Sequence, residues 1–229
     1  VTGFGERSGA SCLGVRWSLI VPVKHLGLAK SRLARAAGTM REGLALAIAC
    51  DTVSAALSCP TVDTLFVVTD DPLADAELSS LGAVVVSGEP GGGMNPALEH
   101  GEAAARARDP RTGVCAMSAD LPALRPDELG LVLAAASEHG RSFLADSPGV
   151  GTTLLAATPG HRLAPSFEGE SRSRHREGGA RELSPVGVES VRRDVDTPED
   201  LTEAAALGLG PRTRPLWARM APHEAEEAH

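Results

Sequence analysis

Lysine is almost missing from this chain of 229 residues. Of 22 basic residues only Lys24 and Lys30 are lysines, six positions apart, and the rest are arginines spread along the sequence. Tyrosine is absent and aromatic residues make up 3%. Any core must therefore be aliphatic, and the stacked platforms of single-strand nucleic-acid binders are missing. Acidic residues outnumber basic ones, giving a net charge of −8. That balance argues against nonspecific nucleic-acid binding, which needs a basic face. No window approaches 18 consecutive apolar residues, so no membrane-spanning helix is expected and no membrane partner is implied. The first 16 residues lack the charged-then-apolar order of a signal peptide, and the expected location is the cytoplasm. Cys12, Cys50, Cys59 and Cys115 show no CxxC spacing and read as small buried hydrophobes. Missing too are GxGxxG, a Walker A loop and a G-x-S-x-G elbow.

What is present is a βα alternation. Residues 17–23 read as a buried first strand, followed by a basic loop over 24–35 and an amphipathic helix over 39–57. Strand 63–69, helix 72–81 and strand 83–87 repeat the pattern. The triple glycine at 91–93 opens a helix running to about residue 108. Strand 113–119 and helix 126–139 follow, then strands 141–145 and 152–157. A strand over 189–195 and a helix over 198–207 close the fold. Residues 160–187 break the rhythm and read as a long functional loop. The expected fold is a three-layer α/β/α arrangement around a mostly parallel sheet. Its expected organisation is a mobile segment over 1–16, one domain over 17–210 and a frayed tail over 211–229.

In open α/β sheets ligands bind beyond the carboxyl ends of the strands. Four segments there carry chemistry. Pro22-Val-Lys24-His-Leu-Gly-Leu-Ala-Lys30-Ser-Arg32-Leu33 gathers three cations within nine residues, suited to a polyphosphate or simply to solvent. Asp120 ends a strand in Ser118-Ala-Asp-Leu-Pro122, where a carboxylate holds a divalent metal or caps a turn. Asp194 and Asp196 stand two apart near a strand end, a spacing that presents both carboxylates on one face. A shared cation relieves their repulsion. In Thr197-Pro-Glu-Asp200 a helix cap follows, in which Asp196 is a competing participant. Thr152, Thr153 and the 167–175 loop combine hydroxyls, glycines and cations that could hold a small anion. No nucleophile triad is present, which fits phosphoryl or nucleotidyl transfer, where metal, cations and alignment do the chemistry.

Val21-Pro-Val-Lys-His-Leu-Gly-Leu-Ala-Lys-Ser-Arg-Leu33, Ser118-Ala-Asp-Leu-Pro-Ala-Leu124 and Asp194-Val-Asp-Thr-Pro-Glu-Asp-Leu201 resemble the phosphoenolpyruvate / 2-phospho-L-lactate guanylyltransferases of coenzyme F-420 biosynthesis. The resemblance runs from about Trp17 to Gly210. It implies a GT-A-like nucleotidyltransferase that moves GMP from GTP onto phosphoenolpyruvate and releases pyrophosphate. It also implies Asp120, Asp194 and Asp196 as magnesium ligands. Lys24, Lys30 and Arg32 become the triphosphate contacts, with Lys24 counted among the catalytic groups. Asn95 becomes the candidate reader of base or ribose. Thr152, Glu168, Gly169 and Ser171 become the acceptor contacts. One departure stands out: Phe167-Glu-Gly-Glu-Ser171 replaces the family's usual Phe-Gly-x-Asp-Ser, so the family's glycine falls on Glu168 or is displaced to Gly169. Alternatives are the same reaction on 2-phospho-L-lactate or 3-phosphoglycerate, or a related nucleotidyltransferase acting on a molybdopterin, sugar phosphate or methylerythritol phosphate. A glycosyltransferase and a non-catalytic nucleotide-binding module are the readings of other classes.

Overall fold

The computed structural model describes residues 14–28, 30, 33, 37–88 and 90–220. Seven strands form one sheet: β1 (Trp17–Pro22), β2 (Val62–Val68), β3 (Val84–Val86), β4 (Gly113–Met117), β5 (Arg141–Ala145), β6 (Thr152–Ala157) and β7 (Arg181–Glu182). Among the described residues eight α-helices connect and flank them: α1 (Arg41–Leu57), α2 (Pro72–Ser80), α3 (Met94–Arg108), α4 (Pro126–Ala136), α5 (Ser171–Glu177), α6 (Glu189–Arg192), α7 (Pro198–Leu207) and α8 (Thr213–Met220). The strand order is β3-β2-β1-β4-β6-β5-β7. Only β6 runs antiparallel to its neighbours, β4 and β5.

Alternation along the strands builds the layers. Leu19 and Val21 of β1, Leu65 and Val67 of β2 and Cys115 and Met117 of β4 face one side, against Val53 of α1, Leu78 of α2 and Leu133 of α4. Ile20, Phe66, Val68, Val114 and Ala116 face the other, against Ala97, Leu98 and Ala105 of α3 and Phe167. Helices therefore cover both faces, as the near-continuous apolar strands require. Gly101 lets α3 lie hard on the sheet: a Cβ there would stand 2.5 Å from Ile20 Cγ2 and 2.9 Å from Val68 Cγ2. Three of the four cysteines are free and buried, as expected of small hydrophobes, and Cys12 lies outside the described residues.

Three expectations need correction. Residues 189–195 are not a strand but the short helix α6 and an irregular link. The backbone turns instead because the Glu128 carboxylate accepts the Ser190 N–H at 2.9 Å, while Ser190 Oγ accepts the Arg125 N–H at 3.1 Å. Residues 160–187 are not one loop, since they contain α5 and β7. The expected frayed tail contains α8, whose Leu216, Trp217 and Met220 pack on a third apolar cluster around Leu44, Ile48 and Leu201. Residues 1–13 and 221–229 lie outside the described residues.

Asp51 pins α8. Its buried carboxylate accepts the N–H of Arg212 at 3.1 Å and of Thr213 at 2.7 Å. Asp51→Ala would leave both donors without their partner and is expected to lower unfolding free energy by about 3 kcal/mol. Urea denaturation followed by circular dichroism checks this; an unchanged midpoint would overturn the anchoring role.

Candidate active site

A cleft of about 480 Å³ lies at the carboxyl edge of the sheet, between the ends of β1 and β4. Those neighbours lead the chain in opposite directions across the sheet, with β2 and β3 beyond β1 and β6 beyond β4. That is the switch point where a crevice opens. The reversal of β6 brings its first residue, Thr152, to the same edge as Ala145, the last residue of β5. The Ser118 N–H joins Thr153 O at 2.9 Å, so the segment after β4 continues along β6.

Lys24 and Lys30 line the β1 side. Lys24 is exposed and makes no hydrogen bond or ion pair among the described residues. The loop that carries it is held from below by Asp71, which accepts the Leu26 N–H at 2.9 Å and those of Leu73 and Ala74 at 3.0 Å. Burial alone would raise the Asp71 carboxyl, but these donors outweigh it and hold the group below the usual carboxylate range. Lys30 has the left-handed backbone φ of 54°. Its Nζ contacts Asp120 and stands 3.2 Å from Asp196. Burial would lower the pKa of that ammonium, yet the two carboxylates reverse the effect and raise it.

Asp120, Asp146, Asp194 and Asp196 line the facing wall. The Val195 N–H donates to Asp120 O at 3.0 Å, so the link after α6 runs beside the segment after β4. Asp194 and Asp196 flank buried Val195 and share the cleft without belonging to a strand. Asp196 does not cap α7. Thr197 is the N-cap, and Asp200 completes the capping box while accepting the N–H groups of Asp196 and Thr197. Asp120 does not cap α4, whose N-cap is Arg125. Burial, reinforced by Asp120, Asp146 and Asp196, pushes the Asp194 carboxyl up to about 7.

Thr152, Phe167, Glu168, Gly169 and Ser171 form the remaining wall. Thr152 Oγ1 is 3.0 Å from His175 Nδ1. Glu168 and Gly169 both have positive φ, 79° and 51°. Glycine enters this left-handed region freely, whereas at Glu168 a side chain makes it strained. The Glu168 carboxylate offsets that strain by lying 3.5 Å from the Met94 N–H, at the electropositive start of α3.

The structure brings together Lys24, Lys30, Asp120, Asp194, Asp196, Thr152, Glu168, Gly169 and Ser171. Asn95 is not with them. Its Oδ1 accepts the Phe167 N–H at 2.7 Å and its Nδ2 donates to Phe167 O at 3.3 Å, so it clamps the 167–171 segment instead of facing a nucleotide. Arg32 lies outside the described residues. The arginines after Ser171 do not converge on an anion: Arg172 holds Gly149 O and Glu182, and Arg174 holds the carbonyls of Ser166 and Phe167. Thr153 Oγ1 is buried without a partner, away from the cleft. Asp146 and His175 belong to segments the sequence marked, but neither was given a role of its own. Asp146 accepts the N–H groups of Val150 and Gly151 at 2.8 and 2.7 Å, and glycine is required at 151 because a Cβ would strike that carboxylate.

Among the described residues no three His, Cys, Asp or Glu side chains form a ready-made ion cage. Asp120, Asp194 and Asp196 nonetheless fit a magnesium-like ion that arrives with phosphate oxygens. Such ions take only one or two carboxylates from the protein and the rest of their shell from substrate and water.

Comparison with known proteins identifies the family. Residues 17–220 match the family described as guanylyl transferase CofC like. The chain belongs to that family. It is 62% identical over 204 residues to a phosphoenolpyruvate guanylyltransferase of Thermomonospora curvata, covering 89% of this chain and 90% of that one. A Streptomyces coelicolor protein of the same name is 57% identical over 207 residues, covering 90% and 98%. The fold is shared with the 4-diphosphocytidyl-2C-methyl-D-erythritol synthase of Anaerococcus prevotii (TM-score 0.54, 14% identity, 84% and 96% of the chains). It is shared too with a Mycobacterium tuberculosis protein solved with manganese (TM-score 0.52, 21% identity, 83% and 98%). These likenesses support the nucleotidyltransferase fold expected for the CofC-like family.

Two tests follow from the site. With its carboxyl raised, folded Asp194 keeps a proton that the unfolded chain releases near pH 4. Stability therefore falls as pH rises from about 4 to about 7, then levels. In chelator, Asp194→Asn is expected to be more stable than the parent at pH 8 by on the order of 2 kcal/mol, the gain fading toward pH 4. An equal difference at both pH values would refute the burial of this carboxylate. Asn95→Ala is expected to lower unfolding free energy by about 1 kcal/mol and to leave the ranking of nucleoside triphosphates unchanged. A reordered ranking in a turnover assay would make Asn95 a nucleotide reader after all.

Proposed function

We propose that this chain transfers a guanylyl group from GTP to the phosphate of phosphoenolpyruvate and releases pyrophosphate. The observation that carries the reading is the meeting, in one cleft, of two lysines with three aspartates, opposite a wall of Thr152, Glu168, Gly169 and Ser171. The relatives at 62% and 57% identity, named for this activity, choose the guanylyl group and the acceptor.

A phosphate monoester with a second pKa near 6 is already largely ionised at neutral pH, so no general base is needed. One of its oxygens attacks the α-phosphorus of GTP in line; the bond from that phosphorus to the β-phosphate oxygen breaks, and pyrophosphate departs. Lys24 and Lys30 hold the triphosphate and neutralise the leaving pyrophosphate as its charge grows. Thr152 and Ser171, with the backbone at Glu168 and Gly169, hold the three-carbon acceptor. Asp120, Asp194 and Asp196 would hold a divalent ion, proposed as magnesium, which supplies charge neutralisation across the phosphate oxygens. Asp146 keeps the turn before Thr152 rigid through its two backbone bonds. The product is proposed to serve coenzyme F-420 biosynthesis. The proposed compartment is the cytoplasm; no helix among the described residues is long and apolar enough to cross a membrane.

Pyrophosphate release is the test, run across four nucleoside triphosphates and three acceptors: phosphoenolpyruvate, 2-phospho-L-lactate and 3-phosphoglycerate. GTP with phosphoenolpyruvate is expected to give the highest kcat/KM. Asp120→Ala and Asp194→Ala are expected to lose about 10²–10³-fold in kcat while the far-ultraviolet spectrum is kept. Release with CTP alone, or full turnover in either variant, would overturn the assignment.

A further inference from the structure

We propose that His175 is a positioning residue that fixes the Thr152 hydroxyl, so that the hydroxyl proton is offered to an anionic oxygen of the acceptor. The inference rests on the phosphoenolpyruvate reading and deepens it. His175 lies outside the cleft wall, on α5, and is fully buried. Phe167 packs edge-on to its ring with centroids 4.9 Å apart, and Phe143 lies at 5.8 Å. The ring therefore has one orientation. Its two nitrogens meet different partners. Nε2 is 3.0 Å from the backbone nitrogen of Ser166, and Nδ1 is 3.0 Å from Thr152 Oγ1.

A backbone N–H can only donate. Nε2 must accept from it and so bears no proton. An imidazolium would set two N–H groups against each other, so the ring is neutral and its single proton sits on Nδ1. Burial, with Arg141 and Arg174 nearby, independently favours the neutral ring and pulls its pKa to about 4. Nδ1–H then donates to Thr152 Oγ1. One lone pair of the threonine is used, and its own proton cannot point at the ring. Thr152 makes no other side-chain hydrogen bond among the described residues, and it lines the cleft. Its proton is left for a ligand oxygen, and a carboxylate or phosphate is the complementary group. The proton required on Nδ1 is the less common neutral form of free histidine, so this arrangement is imposed by the fold and can be detected.

Two measurements on the full chain test it. Histidine-selective ¹⁵N NMR at pH 7, with the signal assigned by its loss in His175→Gln, is expected to show a protonated Nδ1 and a bare Nε2. Protonation at Nε2, or at both nitrogens, overturns the proposal. The second is a double-mutant cycle. In His175→Gln the side-chain oxygen can take the place of Nε2 toward Ser166, but no donor reaches Thr152. The expected result is about a 10-fold rise in KM for phosphoenolpyruvate, with KM for GTP and kcat within about 3-fold of the parent. His175→Asn, whose amide nitrogen replaces Nδ1, should restore most of the loss. In a Thr152→Val background His175→Gln should cost nothing further. The same 10-fold loss in that background, or no rescue by Asn, would show that His175 only supports the fold. If the parent enzyme does not use phosphoenolpyruvate, the functional reading fails instead. The NMR result then still decides the histidine form, and the cycle is run with the acceptor the parent does use.

Discussion

Three aspartates facing one cleft are the constraint around which this molecule is arranged. Asp120, Asp194 and Asp196 approach one another closely enough that burial and mutual repulsion lift the Asp194 carboxyl to about 7. Bare, such a group would drive its segments apart. Asp146 adds to the repulsion, and other neighbouring groups offset part of it. Lys30 lies between Asp120 and Asp196 on a left-handed backbone. Thr197 and Asp200 together form the helix cap, which leaves Asp196 out of it. Asp146, a fourth carboxylate, is held by two backbone N–H groups. The bond from Val195 N–H to Asp120 O then holds together the two segments that repulsion would separate.

The antiparallel strand is the second device. With β6 parallel, Thr152 would lie at the opposite edge of the sheet from Asp120. Reversed, it starts where β4 and β5 end and delivers a hydroxyl to the wall opposite the lysines. The segment after β6 must then cross back under the sheet to reach the cleft again. It does so by burying Leu163, Phe167 and His175 against the α3 side. Asn95 fastens this return to α3 by gripping the Phe167 backbone from both sides. The lysine-bearing wall and the Thr152–Ser171 wall of the cleft are thereby parts of one packed body.

Much of this was legible beforehand, and the failures have physical causes. Strands were readable where burial on both faces leaves a continuous apolar signal, as in Leu65–Val68 at the end of β2. The cap of α7 was readable because Thr-Pro-Glu-Asp is local chemistry. Lys24, Lys30, Asp120, Asp194 and Asp196 were readable because they follow strands or stand two apart. What escaped was decided by distant partners. The Glu128 carboxylate turns 189–192 into a helix from 62 positions away. Asp51 fixes α8 across more than 160 positions. Asn95 looked like a ligand reader because no local pattern announces a clamp on Phe167. His175 counted in the sequence only as one cation of the 167–175 loop; its two partners, Thr152 and the Ser166 backbone, appear only in the structure.

The scarcity of lysine can now be set against this geometry. Arginine's guanidinium is a flat fork matched to one carboxylate or phosphate. The position between Asp120 and Asp196 asks for something else: a compact charge whose three donors diverge toward carboxylates on different segments. Lys30 meets that need. Lys24 differs: it is exposed and unpaired among the described residues, and in the proposed reaction its flexible stem would let a point charge follow the polyphosphate. A genome that favours arginine explains the chain's other basic residues. It does not explain two exceptions in one loop, which both line the cleft. The net charge of −8 is compatible with an anionic substrate for the same reason. At a Debye length of about 8 Å the field of the distant surface is screened, and the substrate responds to the few charges lining the cleft.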